Sequence, residues 1–323
     1  MIQTLSIRNF KVLREVDVIL QPLTVVVGPN ASGKTSILQA LAIISGWVNG
    51  SRDYTLSNQA QSRISEGPTR IGCQVKLEEQ TSRFEVNLSS MDVTKNEVEW
   101  MKWGHAFLNL STKKLAASSY PKSTSLTLPS DGEGLPSILA GLRLESQDKF
   151  TDIVSQLKDV VANLIDIRVR QIQIDLERVG HELLFDLKGA TAVQASAISE
   201  GTLLTLGVLT ALSTGGSPQI ALIDDIERGL HPKALKSYMA QIRLLQKRDP
   251  ELQIVATSHS PYLLDYLEAD EVLLTSLDEE GYTVVKALAD HPDYARSKAF
   301  MAPGEFWSAV GESWIVEDRK ATA

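Results

Sequence analysis

One octapeptide constrains this chain more than any other stretch of its sequence. Residues 28–35 read G-P-N-A-S-G-K-T, which fits the pattern G-x-x-x-x-G-K-[ST] of a phosphate-binding loop. The preceding Leu23–Val27 is apolar or β-branched, as a buried strand should be. Apolar residues then recur on one helical face, before a stop signal at Gly46: Ile37, Leu38, Leu41 and Ile44. The sequence therefore predicts a strand, a loop whose amides face a phosphate, and a helix.

The same pattern assigns roles within the loop. Lys34 can reach the β- and γ-phosphates of a nucleotide, and the Thr35 hydroxyl can be a ligand of Mg²⁺. We therefore expect ATP and Mg²⁺ as cofactors, and we expect Lys34 to face solvent when no nucleotide is bound. The predicted nucleotide-binding residues of the loop are Asn30, Ser32, Gly33, Lys34, Thr35 and Ser36.

A pair of carboxylates follows a short apolar run in the second half of the chain. Residues 220–223 are all apolar and lead directly into Asp224 and Asp225. The run predicts a buried strand, and the carboxyl ends of strands are where open α/β sheets bind ligands. Together with the loop upstream, this pattern indicates that Asp224 binds Mg²⁺ and that Asp225 orients or deprotonates an attacking water.

Two further motifs are weak alone and informative in their order. Residues 198–202 read I-S-E-G-T before an apolar helix, where a serine is most often only an N-cap. Residues 257–260 read T-S-H-S after a short apolar strand at 254–256, and a lone histidine is most often structural. The order along the chain is phosphate loop, S-x-G before a helix, acidic strand end, and histidine after a strand.

This order resembles the ATPase head of ABC type, in the branch shared by SMC, RecF and OLD-like proteins. The resemblance covers most of the chain, starting from a first strand at 5–11. Residues 199–201 lie at the signature motif, and 224–232 combine the Walker B acid with an L-H-P ending that is typical of OLD-like proteins. The resemblance implies an α/β P-loop NTPase fold with a mixed sheet and helices, an antiparallel β subdomain and a helical insertion.

The resemblance also implies how a complete site is assembled. It places the switch histidine, His259, against the γ-phosphate, as a catalytic residue beside Asp225. It places Ser199 and Gly201 against the nucleotide of a second subunit. The complete site would then exist in a head-to-head homodimer that sandwiches ATP.

The sequence departs from the family at the catalytic carboxylate. Family members usually carry glutamate after the Walker B acid, and this chain carries Asp225. The shorter side chain holds its carboxylate about 1 Å further from the water, and such misplacement can lower a rate ~10²-fold. We therefore expect slow hydrolysis, with Glu227 as a less favoured substitute base.

Two parts of the site stay open. The Q-loop glutamine of the family corresponds to Gln74, Gln171 or Gln173, and nothing in the sequence chooses among them. Residues 9–11, N-F-K, either approach the nucleotide, as the resemblance suggests, or form a turn at the edge of a sheet.

We expect one two-lobed domain. Its predicted parts are an N-terminal nucleotide-binding lobe (1–105), a variable insertion with helices (106–195), a lobe with the signature, Walker B and histidine motifs (196–290) and a C-terminal tail (291–323). Alternating or apolar patterns predict strands at 70–79, 82–89, 166–176, 181–188, 271–275 and 282–288. Polar composition, or richness in Ser, Thr, Pro and Gly, predicts surface loops at 49–69 and 111–137.

Apolar residues at helical spacing predict one or two helices in the insertion and another in the tail. The first set is Leu139, Leu142, Phe150, Ile153, Leu157, Val160, Val161 and Leu164, and the second is Phe306, Trp307, Val310 and Trp314. We expect the tail to dock on the body of the protein, with a partner-binding surface as the alternative.

Composition and charge limit the function classes. A chain of 323 residues with 43% apolar content can bury a substantial core, and its single cysteine, Cys73, excludes an internal disulfide. We find no secretory signal and no apolar run of ~20 residues, so we expect a cytoplasmic protein with no membrane span. The net charge of −8 does not support binding to nucleic acid, although basic residues cluster at 168–170 and 243–248.

Three functions stay open. The first is a nucleotide-gated dimeric switch that controls a partner effector, a nuclease or a toxin, for which the resemblance suggests a role in anti-phage defence. The second is a DNA-repair or DNA-end-sensing ATPase, and the third is a nucleotide-binding scaffold that does not hydrolyse ATP. We expect no DNA cleavage by this chain itself, because the D-x-D metal motif of OLD-like nuclease domains does not follow the head.

Overall fold

The computed structural model describes residues 1–48, 67–77, 80–90, 92–95, 104–121, 124–175, 178–216 and 219–322. The strands are β1 Ile2–Phe10, β2 Leu13–Ile19, β3 Leu23–Val27, β4 Arg70–Leu77, β5 Gln80–Asn87, β6 Asp92–Lys95, β7 Gly104–Leu108, β8 Leu164–Gln173, β9 Val179–Leu187, β10 Ala190–Gln194, β11 Gln219–Ile223, β12 Leu252–Ser258, β13 Val272–Leu277 and β14 Thr283–Ala287. The helices are α1 Lys34–Val48, α2 Thr112–Ala116, α3 Leu135–Glu145, α4 Gln147–Val160, α5 Glu200–Thr214, α6 Pro232–Arg248, α7 Pro261–Leu264, α8 Tyr294–Ser297, α9 Pro303–Val310 and α10 Ser313–Thr322. Most of the predicted loop at 49–69 lies outside the described residues.

These elements form two compact units. The sheet unit consists of Met1–His105, Ser217–Ile226 and Pro250–Ala323, and the helical unit consists of Ala106–Gly216 and Glu227–Asp249. The chain enters the helical unit within β7, and enters it a second time after Ile226. Residues 196–290, which the sequence groups together, are therefore shared between both units.

The centre of the sheet unit is a mixed sheet. Five of its strands have the order β14-β13-β3-β12-β11. Strand β3 lies between the parallel strands β12 and β13, β11 is parallel to β12, and β14 is antiparallel to β13. Every residue of β3 and β11 is buried, which explains their nearly continuous apolar sequences. The predicted mixed sheet is confirmed.

A second sheet in this unit is antiparallel, with the order β2-β1-β4-β5-β6. It contains the strands predicted at 70–79 and 82–89, so the predicted antiparallel β subdomain is confirmed. The buried side chain of Gln253 on β12 ties this sheet to the central one. Its amide accepts a hydrogen bond from the Ile2 N–H and donates one to the Ile2 carbonyl, both at 2.8 Å.

Helix α1 is buried on all sides over residues 40–47 rather than on one face. It contacts β11 and β12 of the central sheet and β1, β4 and β5 of the antiparallel sheet. Ala40, Ile43 and Trp47 are therefore buried together with the predicted apolar face. The predicted stop at Gly46 is wrong, since the helix continues to Val48. Packing against two sheets outweighs the weak helix propensity of one glycine.

The helical unit combines α2 to α6 with a three-stranded antiparallel sheet of order β10-β9-β8. Helix α4 contacts α3, α5 and α6. The strands predicted at 166–176 and 181–188 are β8 and β9, whereas β10 is an addition. The prediction of a surface loop at 111–137 is wrong in part, because this segment contains α2 and buries Leu115 and Leu128. Helix α2 packs on α3 and α5, so its leucine belongs to the core of this unit.

The C-terminal segment docks on the sheet unit, as predicted. Helix α9 contacts α7, and α10 contacts β13 and β14. Phe306 is 2% exposed, and its ring meets the rings of His291 and Tyr294 edge-on. Within the described ranges, no helix has both the length and the apolarity that crossing a membrane requires.

Candidate functional site

The carboxyl ends of three neighbouring parallel strands open onto one cavity of the sheet unit. The phosphate-loop motif follows β3, the carboxylate pair follows β11, and the histidine motif spans the end of β12. The cavity has a volume of about 660 Å³. It is lined by Lys11, Val12, Asn30, Ala31, Gly33, Lys34, Thr35, Ser36, Asp224, Asp225 and His259. We call it the P-loop cavity.

The phosphate-loop motif is held against the β13–β14 hairpin by two threonines. Thr275 donates to the Val27 carbonyl at 3.0 Å, and Thr283 donates to the Ser32 carbonyl at 2.9 Å. A Cβ on Gly28 would lie 2.3 Å from the Thr275 carbonyl oxygen. A Cβ on Gly33 would lie 2.3 Å from the Thr283 hydroxyl. Both glycines also have positive φ, so the loop needs them for space and for backbone conformation.

The side chains of Ser32 and Lys34 are not placed as the phosphate-loop motif predicts. The Ser32 hydroxyl lies 2.6 Å from the Thr275 hydroxyl, and its side chain is not among those lining the cavity. The expectation that Lys34 faces solvent is wrong, since it is only 6% exposed. Its ammonium donates to the carbonyls of Gly28 and Pro29, at 2.9 and 2.7 Å. Two backbone carbonyls of the loop therefore hold the lysine ammonium.

Burial and charge act in opposite directions on this lysine. Burial lowers the pKa of Lys34 from its ordinary value, while the charges of Asp225, Asp224 and Glu312 raise it. Burial is the larger effect. Both aspartates line the P-loop cavity together with Lys34.

Asp224 lies between two hydroxyl groups. Its Oδ2 accepts from the Thr35 hydroxyl at 3.1 Å, and its Oδ1 accepts from the Thr257 hydroxyl at 2.5 Å. The Thr35 hydroxyl, in the first turn of α1, and the Asp224 carboxylate, directly after β11, are hard oxygen donors of the kind that Mg²⁺ prefers. The two residues predicted as metal ligands therefore lie together and fit that ion.

Asp225 has an uncommon backbone conformation. Its φ is 51°, in the left-handed region that few residues other than glycine adopt. The Asp225 N–H donates to the Thr257 hydroxyl at 2.8 Å. Its Oδ1 lies 3.7 Å from Nε2 of His259, and both side chains line the P-loop cavity. The two residues predicted as catalytic are thus brought together.

The turn between β1 and β2 also reaches the cavity. Asn9 and Lys11 have positive φ, and Lys11 and Val12 are lining residues. The Lys11 ammonium donates to the side-chain carbonyl of Gln39 at 2.5 Å, and burial lowers the pKa of Lys11. The sequence left this turn open, and Ala31 and Val12 were not predicted to line the site.

Ser199 and Gly201 lie in the helical unit and do not line the P-loop cavity. Ser199 is the N-cap of α5, and its side chain accepts from the Thr202 N–H. A Cβ on Gly201 would lie 2.1 Å from the Gly229 carbonyl oxygen. Glu200 accepts from the guanidinium of Arg228 at 2.5 Å. The signature residues therefore pack on the turn after the Walker B acids.

The remaining candidates also lie apart from the cavity lining. Gln74 is on β4, and Gln171 and Gln173 are on β8 of the helical unit. The pKa of the fully buried Tyr238 is raised by burial and, to a smaller extent, by the charge of Glu227. Glu227 thus lies near a buried tyrosine of the helical unit.

Comparison with known proteins identifies the family of the chain. Residues 79–265 match the family model described as "AAA domain, putative AbiEii toxin, Type IV TA system", and residues 1–125 match the "AAA ATPase domain". The chain is 23% identical over 97% of its length to the "OLD nuclease" of Thermus scotoductus, and covers 69% of that protein.

Two solved structures have the same fold. One is an SMC head bound to the C-winged helix domain of ScpA, with a TM-score of 0.60 and 15% identity over 88% of this chain and 97% of that chain. The other is the SMC head domain from Thermotoga maritima, with a TM-score of 0.52 and 15% identity over 88% of this chain and 98% of that chain. The first family model spans more than half of the sequence. The chain therefore belongs to this AAA-domain family and is an ATPase head of the type shared by SMC, RecF and OLD-like proteins.

Proposed function

We propose that this protein binds ATP with Mg²⁺ in the P-loop cavity and hydrolyses it slowly. The observation that carries the proposal is the meeting of Lys34, Thr35 and both acids of the Walker B motif, with His259, around one cavity. A nucleotide-binding loop alone would support binding only. The added carboxylate and imidazole supply groups that can act on a water molecule.

The residues have separable roles in this proposal. Lys34 exchanges its loop carbonyls for phosphate oxygens and neutralises their charge. Thr35 and Asp224 would hold Mg²⁺, which supplies positive charge to the phosphates when bound. Asp225 orients the water and accepts its proton, and His259 donates a hydrogen bond to the γ-phosphate.

Two features of Asp225 support a slow rate. Its side chain is one methylene shorter than glutamate, so its carboxylate reaches less far toward the water. Its left-handed backbone fixes the direction of that short side chain. Misplacement by about 1 Å can lower a rate by ~10²-fold.

We further propose that ATP closes two copies of the chain into a head-to-head dimer, and that hydrolysis opens it. Neither Ser199 nor Gly201 lines its own chain's cavity, and the exposed side chain of Ser199 supports contact between this motif and the nucleotide of a second copy. Opening and closing then controls a separate effector, for which we propose a nuclease or toxin in anti-phage defence. The description of the matching family and the name of the Thermus relative support this choice.

The tail and the 111–137 segment are both partly packed within the chain. Phe306 of the tail is buried, and Leu115 and Leu128 pack inside the helical unit. These three side chains are therefore not available to an effector, whereas Phe300 of the tail is exposed.

Direct binding to nucleic acid has less support. Arg168 pairs with Asp186, Arg170 pairs with Glu182, and Arg248 pairs with Asp152. Since each of these cations has a carboxylate partner in an acidic protein, the two basic clusters lose much of their attraction for phosphates. DNA-stimulated hydrolysis would nevertheless favour an end-sensing ATPase over the effector switch.

The test is hydrolysis by three purified proteins. The parental chain should release phosphate from ATP in the presence of Mg²⁺, and Lys34→Ala should lose both this activity and most ATP affinity in a calorimetric titration. Lys149→Ala removes an exposed lysine of α4 and should behave as the parent. Unchanged ATP affinity in Lys34→Ala would remove the basis of the proposal. ATP binding by the parent without any phosphate release would leave a nucleotide-binding scaffold.

A further inference from the structure

Thr257 lies on β12, the middle one of the three strands whose carboxyl ends open onto the P-loop cavity. It is the penultimate residue of β12, which runs parallel to β3 on one side and β11 on the other. Its side chain is fully buried. The threonine is therefore in contact with the Walker B strand end without lining the cavity itself.

One hydroxyl group serves both carboxylate residues. Thr257 Oγ1 donates to Asp224 Oδ1 at 2.5 Å and accepts from the Asp225 N–H at 2.8 Å. A hydroxyl has a single proton to donate, and here that proton is committed to Asp224. The hydroxyl therefore has a fixed orientation, and Asp224 Oδ2 stays beside the Thr35 hydroxyl at 3.1 Å.

The backbone of Asp225 is fixed from both sides by the same threonine. The Asp225 N–H bonds to the Thr257 hydroxyl, and the Ile226 N–H donates to the Thr257 carbonyl at 3.1 Å. A residue other than glycine stays in the left-handed region only when its surroundings enforce it. These two hydrogen bonds hold Asp225 in that conformation. They direct its side chain to the cavity that it shares with His259.

We propose that Thr257 is the positioning residue for both acids of the hydrolytic site, turning one oxygen of Asp224 toward the metal and holding Asp225 where it meets the attacking water. The proposal rests on the proposed ATP hydrolysis. Thr257 touches neither nucleotide nor water in this role and acts through the two aspartates.

The test compares Thr257→Val with Thr257→Ser. Valine keeps the shape and loses the hydroxyl, whereas serine keeps the hydroxyl and loses a methyl group. We expect Thr257→Val to lower kcat by about 10- to 100-fold, with KM for ATP within about threefold of the parent at saturating Mg²⁺. We also expect it to raise the Mg²⁺ concentration needed for half-maximal ATP binding in a calorimetric titration, which does not depend on turnover. We expect Thr257→Ser to keep kcat within about threefold.

The matched control is Thr210→Val, which removes another fully buried hydroxyl, one that donates to the Leu206 carbonyl within α5. It should keep the parental kcat and Mg²⁺ requirement. If Thr257→Val does not fold, Thr257→Cys is measured in its place. The kcat of the parent and of Thr257→Ser should then be higher than that of Thr257→Cys.

Two results would overturn the inference. One is a parental kcat and Mg²⁺ requirement in Thr257→Val, or in Thr257→Cys if it is used. The other is a serine variant as slow as the valine variant, because packing of the methyl group would then be the cause. With a parental protein that hydrolyses ATP, either result overturns this inference alone. A parental protein that does not hydrolyse ATP would overturn the proposed function together with the inference.

Discussion

Asp225 has an unusual backbone conformation and also lies at the proposed catalytic position. Its φ of 51° is unusual for a residue with a side chain, although aspartate and asparagine enter this region more readily than most others. Its carboxylate lies beside His259 in the P-loop cavity. The choice of aspartate over the family's glutamate thus has two consequences, a shorter reach and a better tolerated backbone.

Substitutions at Asp225 should separate these two consequences. Asp225→Asn keeps the backbone preference and removes the base, so ATP affinity and Tm should stay unchanged while hydrolysis falls at least about 100-fold. Asp225→Glu restores the reach and should raise kcat, with a loss of about 1 kcal/mol in the free energy of unfolding. Steady-state phosphate release and thermal unfolding measure both effects. If both variants hydrolyse ATP at the parental rate, Asp225 is not the base and Glu227 becomes the next residue to replace.

The β13–β14 hairpin shapes the phosphate loop although it contributes no residue to the motif. Thr275 and Thr283 bond to backbone carbonyls of the loop region, and the same two threonines leave no room for a Cβ on Gly28 or Gly33. The loop is therefore pre-formed by contacts with elements about 250 residues later in the chain.

Two glycines of positive φ give a matched test of this support. A Cβ added to Gly281, in the hairpin turn, would meet open space, whereas one added to Gly33 would meet the Thr283 hydroxyl. Gly281→Ala should lose about 1 kcal/mol of stability from backbone strain alone and keep its ATP affinity. Gly33→Ala should lose more stability and most ATP binding. Equal Tm values and equal ATP affinities in calorimetry would show that the hairpin does not constrain the loop.

The reactivity of Cys73 can be used to measure how readily the antiparallel sheet opens. It lies on β4, between β1 and β5, and burial raises the pKa of its thiol to about 12. The native protein should therefore react very slowly with iodoacetamide at pH 8, and reaction should become fast only in denaturant. Because the unfolded thiol ionises near its ordinary pKa, about 9, this group's contribution to stability should be complete below pH 9 and fall above it. Fast alkylation of the native protein would mean that this sheet opens readily.

The residues of the proposed shared site are divided between the two units of the chain. The P-loop cavity belongs to the sheet unit, while Ser199 and Gly201 belong to the helical unit. Gly201 also has a role within its own chain, because its missing Cβ makes space for the Gly229 carbonyl. A substitution at Gly201 would therefore disturb folding as well as any dimer, and Ser199 is the better probe.

Mixing two inactive variants tests whether sites are shared between chains. Ser199→Arg should bind ATP normally and lose hydrolysis, and mixing it with Lys34→Ala should restore part of the activity through one intact mixed site. Ser199→Ala is the control, since it removes the helix cap, at a cost of about 1 kcal/mol, without adding bulk. Phosphate release and sedimentation velocity are the readouts. A monomer with full activity at every concentration would refute the shared site.

The local motifs could be predicted from the sequence because their chemistry depends on neighbouring residues. Glycines at fixed spacing, Lys34 and Thr35 define the phosphate loop within eight positions, and an apolar strand end defines Asp224 and Asp225. Many strands and several helices were predicted from periodicity for the same reason, whereas β2, β6, β7, β10 and α2 were not. The family then supplied the mixed sheet and the antiparallel subdomain, both of which the structure contains.

Tertiary structure decided what depends on contacts between distant segments. Nothing in the sequence indicated that Lys34 turns inward, because its acceptors are backbone carbonyls of a folded loop. The sequence assigned no role to Thr257, the first residue of the T-S-H-S motif, or to Thr283. Such a threonine becomes important only when a strand places it beside a carboxylate or a loop carbonyl. Helix α1 passes Gly46 for a similar reason, because two sheets bury it and burial overrides local propensity. The sequence by itself determined the motif residues, because their roles depend on neighbours in the chain. Only the fold determined which distant residues hold those motif residues in position.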